Sequence, residues 1–352
     1  MTASPPTIID NTLKDADLAK ANLADTDFSG IAFHGVIFQQ ADLRRVNFCQ
    51  ASFEECDFSQ AQLDGSQWLG ATITRCILDD AQLQNANVST AQFTQVSLNR
   101  IQATEADFSG CSLDRCTLTQ ARMLQTDLSL AQLDHCFLEA TDLTDARLEN
   151  LSVTDTDLSQ AIFKNNRMNQ ALFLQTKLTG QQFPGCTLDQ TLFIDAQLEN
   201  ADFSGCTLSD TQFTQAKLNG ASFKGAQAER IHLALADLSG ADLSDARFDV
   251  CIFTYAVMHQ TRCQNSRFST CQMEDIDASG SVWDNAYLKL CDLSSAKLDE
   301  ASFRQTQFEV CSLDGIDETA AQWAGARVNE TLRMPDSAAP PPGDWAPIAG
   351  SL

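Results

Sequence analysis

Large apolar residues recur along this chain with a period of five. Leu13, Leu18, Leu23, Phe28, Phe33, Phe38, Leu43 and Phe48 open a column that runs without insertion or deletion to Val328, through 64 consecutive pentads. Two residues before each lies a second column of small side chains, among them Ala16, Ala21, Thr26, Ala41, Ala51, Cys56, Ala61, Ser66, Ala71 and Cys76. Asp or Asn commonly stands between the two, as in Ala16-Asp17-Leu18, Ala21-Asn22-Leu23 and Ala41-Asp42-Leu43. A period of five matches neither the ~3.6 of a helix nor the ~2 of a strand, so no ordinary amphipathic element buries both columns. A coil that turns a corner every five residues does.

Glycine checks that geometry independently. All 14 glycines between residues 7 and 330 stand in one phase, two residues after the large apolar column, where Asp, Asn and Gln are the other common occupants. That bias predicts one backbone turn per pentad, at a site where glycine is tolerated without steric cost.

On these residues the chain resembles the pentapeptide-repeat family. The resemblance spans residues 13–328 and implies an all-β, right-handed quadrilateral parallel β-helix with four pentads per coil, hence about 16 coils without insertions. At the ~4.8 Å spacing of neighbouring strands such a stack is about 75 Å long. Residue n then lies under residue n+20, which predicts stacked ladders: Phe163, Phe183, Phe203 and Phe223, and again Phe173, Phe193 and Phe213. Residues 1–12 are expected to cap the first coil and 329–334 the last, because a solenoid end exposes its core and an unpaired edge. Residues 335–352 hold five of the eight prolines and read as a flexible tail, in which Trp345 and Ile348 are a candidate docking motif or a fold-back cap.

Charge and cysteine narrow the function. With 47 acidic against 23 basic residues the net charge is −24, which excludes direct nucleic-acid binding and anionic membranes and favours a basic protein partner. No apolar stretch approaches the ~18 residues of a membrane helix, and no leader pattern opens the chain. A cytoplasmic protein is expected, and leaderless secretion is compatible with the same sequence. Eleven of the 13 cysteines fall in the small-residue column and read as buried thiols. Ladder spacing of ~4.8 Å misses the ~3.8 Å Cβ separation of a disulfide. No zinc-type spacing occurs, the four histidines do not converge, and no nucleophile elbow or phosphate loop is present. No catalytic residue, cofactor or metal is expected.

Two functional readings follow. The first is a non-catalytic acidic scaffold for protein partners, including service as an accessory or effector of a bacterial secretion system, a context the resemblance permits. The second is mimicry of DNA, inhibiting or protecting DNA gyrase or topoisomerase, as the resemblance to gyrase-binding relatives implies. Duplex of that length carries about 45 charges, against 24 here. Those relatives commonly dimerise through a C-terminal helix, whereas this chain ends in a proline-rich tail. Apolar residues in the outward Asp/Asn phase mark candidate contact surfaces: Ile37, Ile77, Phe137 and Val257 on one face, Leu172, Leu192 and Ile252 on another, with Ile162, Val282 and Tyr287 elsewhere. The second face, with Tyr287, is the preferred partner-binding candidate.

Overall fold

The computed structural model describes residues 10–329. The expected tail at 335–352, with Trp345 and Ile348, lies outside the described residues, as do most of both expected caps. The chain divides into two units, Met1–Leu172 and Phe173–Leu352, and no helix occurs among the described residues.

In the first unit eight short strands follow one another: β1 (Thr12–Lys14), β2 (Ala32–His34), β3 (Ser52–Glu54), β4 (Thr72–Thr74), β5 (Gln92–Thr94), β6 (Ser112–Asp114), β7 (Gln132–Asp134) and β8 (Ser152–Thr154). They pair in parallel and in chain order, each residue opposite the one a coil later, as in Leu13↔Phe33 and Phe33↔Phe53. Strand β9 (Leu172–Leu174) begins on the unit's last residue. The second unit repeats the plan with β10 (Thr207–Ser209), β11 (Gln227–Glu229), β12 (Arg247–Asp249), β13 (Arg267–Ser269), β14 (Tyr287–Lys289), β15 (Gln307–Glu309) and β16 (Arg327–Asn329).

Single parallel bridges pair the remaining sides. In the first unit they include Asp17↔Ile37, Asn22↔Asp42 and Asp27↔Asn47; in the second, Gln212↔His232, Lys217↔Asp237 and Ser222↔Asp242. Four paired positions per coil make each unit a four-sided parallel β-solenoid. Pairing of n with n+20 is therefore the observed register.

The corners explain the pentad. Ala21 N–H donates to the Leu18 carbonyl at 3.0 Å, with Lys20 at φ +60°, the positive third residue of a type II turn. All the glycines of the repeat sit at this left-handed position. The Asp between the two columns serves the same corner: Asp27 Oδ1 accepts from Ser29 N–H at 3.0 Å and Asp107 Oδ1 from Ser109 N–H at 2.9 Å. These Asx turns satisfy an amide that the solenoid leaves unpaired, so the carboxylates recur for a structural reason.

Inside each unit the large column forms a core, and in the second unit the expected ladders run from Phe173 and Phe183 onward. Phe183–Phe203 and Phe203–Phe223 stack at 4.9 and 5.0 Å, and Phe173–Phe193 and Phe193–Phe213 at 5.2 and 5.3 Å. Phe163 belongs to the first unit. That unit has its own stacks, Phe33–Phe53 at 4.8 Å and Phe38–Phe58 at 4.7 Å.

One side of each coil differs from the other three. On the side that carries the named strands the corner is an open bend: Cys56 N–H points at Cys76 Sγ (3.3 Å) and Cys136 N–H at Thr156 Oγ1 (3.2 Å). The small column just past this bend is correspondingly larger. After Ala16, in the first unit it reads Val36, Cys56, Cys76, Val96, Cys116, Cys136, Thr156; in the second, Thr176 follows β9, and from β10 on it reads Thr211, Ile231, Cys251, Cys271, Cys291, Cys311.

Candidate functional site

The second unit has one side that departs from the acidic pattern. Its rungs are joined by the bridges Leu192↔Gln212, Gln212↔His232 and His232↔Ile252. The alternation of the pleat turns residues 192, 194, 212, 214, 232, 234, 252 and 254 outward, and residues 195, 215, 235 and 255 occupy the next corner. Across these four rungs the outward residues include one carboxylate, Asp195, and no Lys or Arg, in a chain of net charge −24. Leu192, Ile194 and Ile252 are half-buried, whereas Leu235 is 54% and Tyr255 57% exposed. The corner on the opposite border carries Val250, 47% exposed, and two coils later Leu290.

These corner residues occupy left-handed backbone: Leu235 and Tyr255 at φ +60°, Val250 at +56° and Leu290 at +53°. Large and β-branched side chains are disfavoured there. Two other residues past the open bends of this unit, Thr270 and Val310, share the feature, both at φ +55°. The open bends of the first unit hold Asp15, Gly35, Glu55, Arg75, Gln95, Arg115, His135 and Asp155, and among its closed corners Leu130 is a large apolar residue, at φ +62° and 64% exposed.

Family profiles match most of the chain. The profile described as a pentapeptide repeat region matches residues 11–87, 50–123 and 166–243, and that described as pentapeptide repeats (8 copies) matches 126–165, 141–180, 231–269 and 271–309. The chain belongs to the pentapeptide-repeat family. Similar solved structures include HetL, a pentapeptide repeat protein involved in heterocyst differentiation regulation from the cyanobacterium Nostoc sp. Strain PCC 7120, at 21% identity and TM-score 0.33, covering 66% of this chain and 87% of HetL. Full-length QnrB1, a plasmid-mediated fluoroquinolone resistance protein, is 15% identical with TM-score 0.33, covering 64% of this chain and 92% of its own. Rfr23 from the cyanobacterium Cyanothece 51142 is 13% identical with TM-score 0.24, covering 42% and 91%. No curated protein sequence matches the chain.

Within this pentapeptide-repeat chain the residues singled out from sequence are placed as follows. Leu192 and Ile252 lie on one side of the second unit, three rungs apart, with polar Gln212 and His232 between them. Leu172 is half-buried in the first unit, where its N–H donates to Leu151 at 2.8 Å. Tyr287 sits on β14: its hydroxyl donates to Glu309 and its ring faces the Arg267 guanidinium at 5.7 Å. Ile37, Ile77, Phe137 and Ile162 are exposed, and Val257 and Val282 half-buried. The corner residues Leu235, Val250, Tyr255 and Leu290 escaped the sequence reading because it looked for outward apolars only in the Asp/Asn phase. The signal was in the glycine phase, where a large apolar residue is the anomaly.

Three of the thiols are held in the protonated form. Burial pushes Cys111 and Cys263 well up, and Cys206, lining a shallow groove with Pro184, Asp189 and Asp202, to about 11. All three stay protonated near neutrality. The ladder thiols instead donate to main-chain carbonyls: Cys271 Sγ reaches Phe248 O at 3.5 Å and Cys291 Sγ reaches Phe268 O at 3.5 Å. Thr211 and Thr261 make the same bond, to Leu188 O at 2.9 Å and Leu238 O at 3.0 Å. Cysteine here replaces threonine as a donor as well as filling space. Asp114, Asp134 and His135 bring potential ligand atoms within 4.8 Å of one another. All lie at the surface, Asp114 paired with Arg115 at 2.9 Å and His135 Nδ1 within 3.1 Å of Asp134 Oδ1.

Proposed function

We propose that the chain is a non-catalytic acidic scaffold that holds a protein partner on the charge-poor side of its second unit. The observation that carries this reading is the four-rung surface from Leu192 to Tyr255. It is depleted of charge, as interface centres are, and it displays Leu235 and Tyr255 at strained corners beside the aliphatic side chains of Leu192, Ile194 and Ile252. Family membership supports a structural and interaction role. The remaining faces are acidic and keep the molecule soluble, steer basic surfaces toward it and repel nucleic acid. Buried thiols that form no disulfide in the Cys251–Cys311 ladder support residence in a reducing compartment such as the cytosol.

The test is capture from lysate of the native host by the full chain and by a Leu235→Asn/Tyr255→Asn double variant. A partner retained by the first and lost by the second supports the scaffold. Recovery of gyrase subunits by both would replace it with DNA mimicry through the acidic faces. Equal recovery of every protein by both would refute a role for this side.

A further inference from the structure

The same side constrains the chemistry of what it holds, and this step rests on the interaction reading above. Leu192 and Ile252 are three rung spacings apart, about 14 Å at ~4.8 Å per rung, and the side is about 13 Å wide at ~3.3 Å per residue. The patch is thus on the order of 200–300 Å², far below the ~800 Å² per partner of a stable globular interface or dimer. Its size suits an extended segment of about five or six residues. Its border is acidic: Asp249 precedes Val250, Asp275 follows Tyr255 by one coil on the same corner, and Asp195 lies two coils before Leu235. None of the three is in an ion pair among the described residues, whereas Asp210 and Glu229, on the same border as Asp249, are held by Arg230. We propose that this side docks a short extended segment of a partner protein, with aliphatic or aromatic anchors between flanking Lys or Arg residues.

The apolar anchors would lie along Leu235, Ile252 and Tyr255, and the basic flanks would reach Asp195, Asp249 and Asp275. The strained corners make the proposal separable from folding. At equivalent corners Asn85, Asn200 and Asn265 take the same left-handed backbone, so Leu235→Asn and Tyr255→Asn keep or raise the melting temperature while removing the anchors.

A phage-displayed random decapeptide library, selected on the full chain and counter-selected on the Leu235→Asn/Tyr255→Asn variant, reads the answer directly. The expected clones carry an apolar cluster between Lys or Arg residues. A synthetic peptide of the leading clone should bind the double variant about tenfold more weakly, and an Asp249→Asn/Asp275→Asn variant several-fold more weakly with a flatter salt dependence. Clones that bind both proteins equally, or that lack basic residues and ignore the aspartate changes, overturn the proposal. So does a concentration-dependent doubling of mass in sedimentation that the Leu235→Asn/Tyr255→Asn change abolishes, which assigns the side to a second copy of the chain. If that variant loses a folded partner from host lysate while the library yields no side-dependent clone, the scaffold stands and the segment falls.

Discussion

Tryptophan enters the described core three times, and only twice with a partner for its indole N–H. Trp68 Nε1 donates to Ser66 Oγ at 2.7 Å, and Ser66 in turn donates to the Leu63 carbonyl at 2.6 Å. Trp283 repeats the arrangement with Ser281 at 2.7 Å. At Trp323 the corresponding small-column residue is Ala321, and Trp323 Nε1 has no partner among the described residues. A buried unmade hydrogen bond costs about 1–3 kcal/mol. Ser66→Ala should therefore lower the unfolding free energy by about that amount, and Ala321→Ser should raise it by about 1 kcal/mol; chemical denaturation of the two variants beside the parent checks both signs. Left-handed corners give a second pair of opposite signs. Val250→Gly relieves a β-branched residue at φ +56° and should stabilise by about 1 kcal/mol. Gly220→Ala should destabilise, because a Cβ there would meet Asn200 Oδ1 at 2.6 Å and the backbone is at φ +68°. Thermal melts that move both variants the same way would show that the corner geometry does not govern stability.

At the scale of the element, the coil was legible because every pentad repeats the same demand: one apolar residue in, one small residue before it, one left-handed corner after it. The side that forms the continuous sheet was less obvious, although its trace was present. Where the corner opens into a bend, the small column enlarges to Val, Thr, Ile and Cys; where a turn bond closes it, Ala prevails, as at Ala216, Ala236, Ala256 and Ala296. The enlarged column lies at Cys56, Cys76, Cys116 and Cys136 in the first unit and at Cys251, Cys271, Cys291 and Cys311 in the second, and the strands change side accordingly. Reading the cysteines modulo five placed them inside the coil; reading them modulo twenty locates the sheet. Space differs between the columns, so substitutions should behave reciprocally. Cys271→Ala loses volume and a donor and should cost about 1–2 kcal/mol, while Cys271→Thr keeps both and stays near neutral. Ala236→Val, in the closed column, forces extra atoms into a filled turn and should cost about 1–3 kcal/mol. Denaturant midpoints of the three variants decide whether the bend or the residue type sets the tolerance. The docking side was only half legible for a related reason: Leu192 and Ile252 violate the Asp/Asn phase, but Leu235 and Tyr255 violate the corner phase, and only the coil brings the two phases onto one surface.

At the scale of the molecule, the carboxylates have two opposed effects on stability, and pH separates them. Their mutual repulsion in a chain of net charge −24 weakens the fold at neutral pH and is screened by salt. The aspartates that close turns act the other way. Hydrogen bonds from the Ser29 amide hold Asp27 low, and those from Thr319 hold Asp317 low. At Asp277 burial acts to raise the pKa but is outweighed by Ser279, whose hydroxyl donates at 2.6 Å, and by His259 at 2.9 Å, leaving the group at about 2. A folded-state pKa below the unfolded value stabilises above the unfolded pKa, about 3.9 for Asp, and that contribution disappears as pH falls through the folded value. Asp277→Asn preserves the acceptor for Ser279 while removing the charge. The variant should melt below the parent from pH 7 down to about 4, and the gap should close between about 4 and 2, where the parent's aspartate takes up its proton. Added salt should raise both melting temperatures at pH 7, because screening acts on the long-range repulsion more than on these short contacts. Melting curves recorded on the two proteins across that pH range, at low and high salt, test both effects. A gap that persists unchanged at pH 2 would assign the loss to packing at the turn and remove the carboxylate's charge from the account.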